Sequence, residues 1–123
     1  GQNFNEYTME AQSPIVVAMI ESWKAVENLE SILSVNGLDA ILIGPYDLSA
    51  SIGKTGEFKS IEFVDLLNEI HEVAKKANLP TGLHVVQTDA GALEERIKEG
   101  YQFLAYSIDS VFLNTAAKNP FAL

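Results

Sequence analysis

The sequence predicts an α/β fold built on a parallel sheet, and three observations support this. Short apolar runs typical of strands recur four times, over residues 15–21, 39–44, 81–86 and 103–108. Segments with apolar residues at helical spacing follow these runs, so strands and helices alternate. The connections between them are short, as expected for parallel strands joined by right-handed helical crossovers. We therefore expect four successive βα units.

The first predicted strand has the sequence Ile-Val-Val-Ala-Met-Ile and ends at Glu21. An uninterrupted apolar run of this length predicts a strand that is buried on both faces. Burying a carboxylate is costly unless it is paired or binds a metal, so we expect Glu21 where the strand emerges. Ser22 then predicts the N-cap of a helix that ends at Gly37. Its expected inner residues are Val26, Leu29, Ile32 and Leu33.

The other elements are predicted in the same way. A short helix over residues 5–11 precedes the first strand, and residues 45–56 form a loop after the second. A long helix covers residues 60–78, and another begins at Asp89 and ends at Gly100. A last helix over residues 109–117 is expected to stop at Asn119-Pro120. The expected inner residues of the two middle helices are Val64, Leu67, Ile70, Ala74 and Ala77, then Leu93 and Ile97.

This order fits two architectures, namely four units of a (β/α)₈ barrel of the TIM type or a complete doubly wound sheet. In both, ligands bind beyond the carboxyl ends of the strands. The polar residues expected at or near that edge are Glu21, Asp47, His84, Gln87 and Asp109. We therefore expect the functional site there.

Composition excludes several classes of function. Residues 1–123 are enough for one domain or part of a larger one, and 47% of them are hydrophobic. The formal charge is −9, which argues against binding to nucleic acid or an anionic membrane. The absence of cysteine excludes disulfides, thiolate catalysis and cysteine-based zinc sites. No apolar run approaches a membrane span of roughly 18 residues, so we predict a cytoplasmic protein.

Two acidic residues at successive strand ends suggest a metal site. The carboxylates of Glu21 and Asp47 can converge there, and hard oxygen ligands of this kind suit Mg²⁺ or Mn²⁺. The alternative is that Glu21 caps its helix and Asp47 forms an Asx turn. Backbone amides of residues 44–53 could hold an anion, helped by the hydroxyls of Ser49 and Ser51. Otherwise these residues form an ordinary βα turn in which Asp47 or Ser49 caps a short helix.

The remaining candidates are weaker. His84 lies within the third strand, where it is either a pocket-lining or a satisfied rim or core histidine, and His71 is expected on a helix, at the boundary between core and surface. The one arginine, Arg96, is expected on a solvated helix face. Neither a Walker lysine pattern nor Gly-x-Gly-x-x-Gly is present, so nucleotide binding has no support.

Two motifs resemble the HpcH/HpaI aldolase family, which comprises class II, metal-dependent aldolases that act on 2-oxo acids, including 4-hydroxy-2-oxoheptanedioate aldolase. They are Met-Ile-Glu-Ser at residues 19–22 and Ile-Gly-Pro-Tyr-Asp-Leu-Ser at residues 43–49. The resemblance implies that residues 1–123 are a single domain, the C-terminal half of a (β/α)₈ barrel, covering strands five to eight.

The resemblance also implies roles for individual residues. Glu21 and Asp47 would ligate the divalent metal, and the backbone amides of Tyr46 and Asp47 would hold the carboxylate of pyruvate, with Ser49 in the same segment. Met19 stands where family members often have a glutamine that contacts pyruvate. His84 stands where an apolar residue often lines the pocket for the pyruvate methyl group.

The implied reaction is cleavage of a 4-hydroxy-2-oxo acid to pyruvate and an aldehyde. The catalytic Arg and His of the family are expected on the missing half, so no catalytic residue is expected in this chain. We therefore expect the isolated chain to be inactive or weakly active and to pair with its missing half or with a copy of itself. The alternatives are an enzyme similar to citrate lyase β or malyl-CoA lyase, a receiver-like Mg²⁺-binding module, and a non-catalytic half barrel.

Overall fold

The computed structural model describes residues 3–117, which form a four-stranded sheet and its helices. The strands are β1 (Val17–Ile20), β2 (Ala40–Ile43), β3 (Thr81–Val85) and β4 (Phe103–Tyr106). The helices are α1 (Phe4–Glu10), α2 (Trp23–Glu27), α3 (Leu29–Leu33), α4 (Pro45–Ser51), α5 (Ile61–Lys76), α6 (Ala90–Lys98) and α7 (Asp109–Ala116). The predicted stop at Asn119-Pro120 lies outside the described residues. Within residues 3–117, no helix has the length and apolar character needed to cross a membrane.

The strands are all parallel and lie in chain order, β1-β2-β3-β4. A doubly wound sheet reverses its strand order at a switch point, whereas a barrel adds each new strand on the same side of the last. The sheet follows the barrel pattern. The doubly wound alternative, and with it the receiver-like module, is therefore wrong.

One face of the sheet is packed against helices, and we call it the covered face. It is formed by Ile20, Ile41, Ile43, Leu83 and Val85, which are all at most 8% exposed. The helices contribute further buried residues to the same core, namely Val26, Leu29, Leu33, Leu48, Phe63, Ile70 and Ala74. The core thus lies between the sheet and the helices α2 to α5.

The opposite face, which we call the open face, carries Val17, Met19, Leu42, Gly82, His84, Phe103 and Ala105, because side chains alternate along each strand. Val17 is 42% exposed and Met19 is 53% exposed. The prediction that the first strand is buried on both faces is therefore wrong. Within residues 3–117, β1 is an edge strand whose open face has no second layer against it.

Two predicted boundaries along the chain are also wrong. The helix expected after Ser22 is divided at Asn28, whose side-chain amide donates 2.8 Å to the carbonyl of Lys24 and competes with the helical pattern. The residues expected to form a loop after β2 instead begin with α4. Gly44 is its N-cap and Pro45 its first residue, a position where the missing N–H of proline costs nothing.

Two helices each contain a residue that was wrongly predicted to face inward. In α5, Ile70 and Ala74 are fully buried as predicted, but Phe63, at 1% exposure, is buried at the start of the helix, whereas Val64 is 42% exposed. Adjacent helical residues point about 100° apart, so Val64 lies outside the stripe to which Phe63 belongs. In α6, Ile97 is 62% exposed and Arg96 is half-buried, the reverse of the expectation.

Candidate functional site

Four residues form one row across the open face at the carboxyl ends of the strands. Ile20 pairs with Ile43, and Ile43 pairs with Leu83, so the residues that follow them lie side by side. His84 in turn pairs with Ala105. We call Glu21, Gly44, His84 and Ala105 the strand-end row. The sheet therefore places a carboxylate and an imidazole two strands apart, with a glycine between them.

Gly44 lets the Glu21 side chain lie close to its backbone. A Cβ atom at this position would lie 3.2 Å from Glu21 Cβ, 3.4 Å from Glu21 Oε2 and 3.6 Å from the sulfur of Met19. The first of these contacts is tighter than usual and the other two are ordinary van der Waals contacts, so a larger residue would press against the Glu21 side chain. Met19 and Glu21 thus lie on the same face, and the surface next to Glu21 is bare backbone.

The helix that carries Asp47, α4, is joined to the end of β1 and the segment after it by hydrogen bonds. Asp47 lies exposed in the first turn of α4. The Gly44 amide donates 3.1 Å to the carbonyl of Ile20. The Ser51 hydroxyl accepts 2.9 Å from the amide of Trp23 and donates 2.7 Å to the carbonyl of Leu48. Ser51 therefore fixes α4 to the segment that follows Glu21, rather than serving as a free anion ligand.

The first amides of α4 are available to a ligand. The Leu48 amide donates 3.0 Å to the carbonyl of Gly44, and among the described residues no acceptor is found for the amides of Tyr46 and Asp47. The Ser49 hydroxyl, by contrast, is engaged within the chain. It is fully buried, donates 2.8 Å to the carbonyl of Tyr46 and accepts 3.1 Å from the amide of Gly56.

The Tyr46 ring lines a different cavity. Its hydroxyl accepts 3.3 Å from Gln87 Nε2, and its ring packs edge-on against Phe58 with centroids 4.9 Å apart. These residues line a mostly apolar cavity of about 250 Å³. Arg96 also lines this cavity and is 3.0 Å from Glu99, so the expectation of a solvated arginine is wrong. His84 also lines it, whereas neither Glu21 nor Asp47 does, so the cavity meets the strand-end row only at His84.

The two histidines differ in surroundings. His84 Nε2 lies 3.2 Å from the carbonyl oxygen of Ser107, which follows β4. His71 lies on α5, half-buried as expected, with its ring 4.6 Å from that of Tyr101. Its Nε2 is buried and has no partner among residues 3–117. His84 therefore belongs to the candidate site, whereas His71 is distant in the fold, near the start of β4.

The resolved pKa shifts lie away from the strand-end row. A hydrogen bond to its own backbone amide, followed by the attraction of Lys54, lowers the pKa of Glu62. Burial raises the pKa of Tyr101 to about 12, with a further contribution from Glu99. Lys54 is itself 3.4 Å from Glu62, so the lysine nearest α4 in sequence is engaged in an ion pair.

The donors at the strand ends fit an oxygen-preferring divalent cation. Within residues 3–117, no three His, Asp or Glu side chains gather around one point. Two carboxylates that leave the other positions of an octahedral ion to water and substrate are a usual arrangement for Mg²⁺.

Sequence comparison decides the family. The family model described as HpcH/HpaI aldolase/citrate lyase matches residues 3–116. The chain belongs to this family. It is 30% identical over 119 residues to a hydroxypyruvate/pyruvate aldolase from Rhizorhabdus wittichii, covering 94% of this chain and 47% of that protein. It is 31% identical to a 4-hydroxy-2-oxovalerate aldolase from Novosphingobium aromaticivorans, covering 85% of this chain and 39% of that protein.

Solved structures show the same fold. An HpcH/HpaI aldolase from Desulfitobacterium hafniense superposes with a TM-score of 0.77 at 30% identity, covering 94% of this chain and 44% of that one. The citrate lyase beta subunit from M. tuberculosis, solved with oxaloacetate and magnesium, has a TM-score of 0.64 at 15% identity, covering 84% of this chain and 51% of that one. The chain thus spans about half the length of the relatives it matches.

The structure also shows what the sequence missed. Ser107 was not among the predicted candidates, and Gly44 was included only through the backbone amides of residues 44–53. A glycine at the end of a strand is a signal that another group approaches the backbone closely, and here that group is the Glu21 side chain. Ser107 carries no comparable signal, because its effect on His84 depends on the register of β3 with β4.

Proposed function

We propose that this chain is the metal- and 2-oxo-acid-binding half of a divalent-metal aldolase, a carbon–carbon lyase. Its substrates would be 4-hydroxy-2-oxo acids, which it would cleave to pyruvate and an aldehyde. Family membership and the aldolase names of the relatives support the general activity. The observation that carries the proposal is the strand-end row, in which Glu21 faces a bare glycine next to the helix that bears Asp47.

Glu21 and Asp47 are the proposed metal ligands. Their carboxylate oxygens suit Mg²⁺ or Mn²⁺, and the magnesium in the distant citrate lyase beta subunit is consistent with this choice. When bound, such an ion would act as a Lewis acid on the keto oxygen of the 2-oxo acid. The role of the two side chains would be to hold that ion beyond the carboxyl ends of β1 and β2.

The amides of Tyr46 and Asp47 would bind the substrate carboxylate. They lie in the first turn of α4, where the helix dipole favours negative charge. Ser49 would shape this turn through its two internal hydrogen bonds. Met19 and His84, on either side of Gly44 on the open face, would line the rest of the substrate site.

Cleavage itself needs groups beyond this chain. The C3–C4 bond breaks, its electron pair forms the enolate of pyruvate, and the proton of the 4-hydroxyl passes to a base as the aldehyde leaves. The enolate then takes up a proton at C3. The base and an arginine are expected on the other half of the barrel, so this chain alone would bind substrate with little or no turnover.

The open face is where that other half would pack. Val17 and Met19 expose apolar surface along β1, and an uncovered parallel sheet is unusual in α/β proteins. We propose that residues 1–123 act as one domain, the C-terminal half of the barrel, paired with the N-terminal half or with a second copy. Such pairing would complete the site. The cytoplasmic location stays a prediction from composition.

A second candidate is an enzyme similar to citrate lyase β, because the matching family model covers both activities. The short connections at the strand ends leave little room for coenzyme A. A non-catalytic half barrel is the remaining possibility, and a binding experiment separates it from both.

Isothermal titration with Mn²⁺, with and without pyruvate, tests the proposal. We expect one Mn²⁺ site, tightened by pyruvate, and a loss of affinity of roughly tenfold or more in Glu21→Gln and Asp47→Asn. Glu27→Gln, an exposed change on α2, is the matched control and should bind normally. Absence of Mn²⁺ binding, or equal binding in all variants, would favour the non-catalytic half barrel.

A further inference from the structure

The hydroxyl of Ser51 joins the two segments that carry Glu21 and Asp47. Its oxygen accepts a hydrogen bond of 2.9 Å from the amide of Trp23, two residues after Glu21. The same hydroxyl donates 2.7 Å to the carbonyl of Leu48, the residue after Asp47. One side-chain hydroxyl thus links the backbone near one carboxylate to the backbone near the other.

The Trp23 amide depends on Ser51 for its acceptor. Helix α2 begins at Trp23, and the first amides of a helix have no acceptor within the helix itself. The N-cap of α2, Ser22, accepts from the amide of Ala25 instead. Among the hydrogen bonds of residues 3–117, the one to Ser51 is therefore what joins the start of α2 to α4.

This link lies near the surface of the chain. Trp23 is 39% exposed, and Ser51 is half-buried. If the Ser51 hydroxyl were removed, water could hydrogen-bond to the Trp23 amide, so little stability would be lost. Water would not hold α2 and α4 together, however. Loss of the hydroxyl should therefore change the spacing of the two segments more than it changes the stability of the fold.

We propose that Ser51 is a positioning residue, which sets the separation of the Glu21 and Asp47 carboxylates for a divalent cation. The inference rests on the proposed function, because it needs both side chains to ligate the metal. Two ligands on different segments bind one ion tightly only if the segments are held at the right separation before the ion binds. Without the hydroxyl, part of the binding free energy would be used to bring the segments together.

The Mn²⁺ affinity of Ser51 variants, measured by electron paramagnetic resonance of the free ion, tests the positioning role. Ser51→Ala should bind Mn²⁺ roughly three- to tenfold more weakly than the wild type, which corresponds to the loss of one hydrogen bond. Ser51→Thr, which keeps the hydroxyl, should bind like the wild type. Ser60→Ala is the matched control and should bind normally. Ser60 is also half-buried, and its hydroxyl accepts 3.4 Å from a helix amide, that of Phe63 in α5.

Two further measurements give results that a loss of stability alone would not produce. In Glu21→Gln only Asp47 remains to ligate the ion, so the separation of two carboxylates no longer matters. Adding Ser51→Ala to Glu21→Gln should therefore change the Mn²⁺ affinity by less than about twofold. In the wild type, saturating Mg²⁺ should slow hydrogen exchange of the Trp23 amide, because the metal and the hydrogen bond to Ser51 favour the same arrangement.

The outcomes separate this inference from the proposed function. If Mn²⁺ binding depends on Glu21 but Ser51→Ala binds as tightly as the wild type, the positioning role is overturned while the metal site stands. The same conclusion follows if Ser51→Thr or Ser60→Ala binds as weakly as Ser51→Ala. It also follows if Ser51→Ala lowers the affinity by the same factor in Glu21→Gln, or if Mg²⁺ leaves exchange of the Trp23 amide unchanged. If the wild type does not bind Mn²⁺, both proposals fail.

Discussion

The covered face and the open face of the same sheet differ in what their residues do. On the covered face, Ile41 and Ile43 are fully buried, and helices α2 to α6 contribute residues to the core or pack against it. On the open face, Val17 and Met19 are exposed at 42% and 53%. The open face also carries the strand-end row. One face therefore carries the buried core, and the other carries the candidate site residues.

This difference has a physical basis in the βα repeat. Each helix returns the chain to the same side of the sheet, so the opposite side gains no cover from within residues 3–117. In a closed barrel that side is filled by side chains from the other strands. The comparison therefore predicts that stability and ligand binding respond to different substitutions.

The largest expected effect is on the covered face. Ile43→Ala should lower the free energy of unfolding by about 3 kcal/mol, because it leaves a cavity in a fully buried site. Met19→Ala, on the open face, should lower it by less than about 1 kcal/mol. Urea unfolding at low protein concentration measures both. Similar losses for the two variants would mean that the open face is packed in solution.

A smaller effect is expected for Tyr101, which packs on the covered side. Its pKa is raised to about 12 by burial, against an ordinary value of 10.0, so the folded state favours the protonated phenol. The stability this provides is complete below pH 10 and is lost as the pH rises from 10 toward 12, by about 2 kcal/mol.

Alkaline unfolding of the wild type and Tyr101→Phe checks this. The free energy of unfolding of Tyr101→Phe should fall less between pH 10 and pH 12. Parallel curves for the two proteins would show that Tyr101 titrates normally and is not held in the core. His71→Gln removes the ring that packs against Tyr101. In this variant most of the loss of stability between pH 10 and pH 12 should remain.

The smallest expected effect concerns Ser107, the residue that follows the edge strand β4. Ser107→Gly should stabilise the chain by about 1 kcal/mol, because it relieves a left-handed residue and removes a buried hydroxyl that has no partner among residues 3–117. Asn78→Gly, at a φ of 54°, relieves similar strain without such a hydroxyl. If Ser107→Gly raises the free energy of unfolding no more than Asn78→Gly does, the buried hydroxyl of Ser107 has no effect on stability.

Much of the fold was predictable because apolar runs report burial directly. The four strands, their parallel order and the helices between them follow from periodicity, and the family motifs at residues 19–22 and 43–49 pointed to the barrel. The break at Asn28 was not foreseen, because it depends on one side-chain bond to Lys24. Burial on both faces was wrongly assigned to β1, since a run of apolar residues does not tell whether a second layer is present.

The site was predictable only in part. Glu21, Asp47 and His84 were identified from their places at strand ends, and their roles stay proposals. The sequence could not predict the distances between these residues, because the distances depend on the register of the strands. Only the pairing of Ile20 with Ile43 and of Ile43 with Leu83 shows that Gly44 separates the carboxylate from the imidazole.

The central claim is that the open face holds a divalent metal at Glu21 and Asp47, and paramagnetic broadening by Mn²⁺ tests it most directly. Substoichiometric Mn²⁺ should broaden the amide signals of Gly44, Tyr46 and Asp47, while that of Asn78, at the other end of the strands, stays sharp. Glu21→Gln should abolish the broadening, and Glu27→Gln should not. Broadening spread evenly over the acidic surface, or unchanged in Glu21→Gln, would contradict the claim.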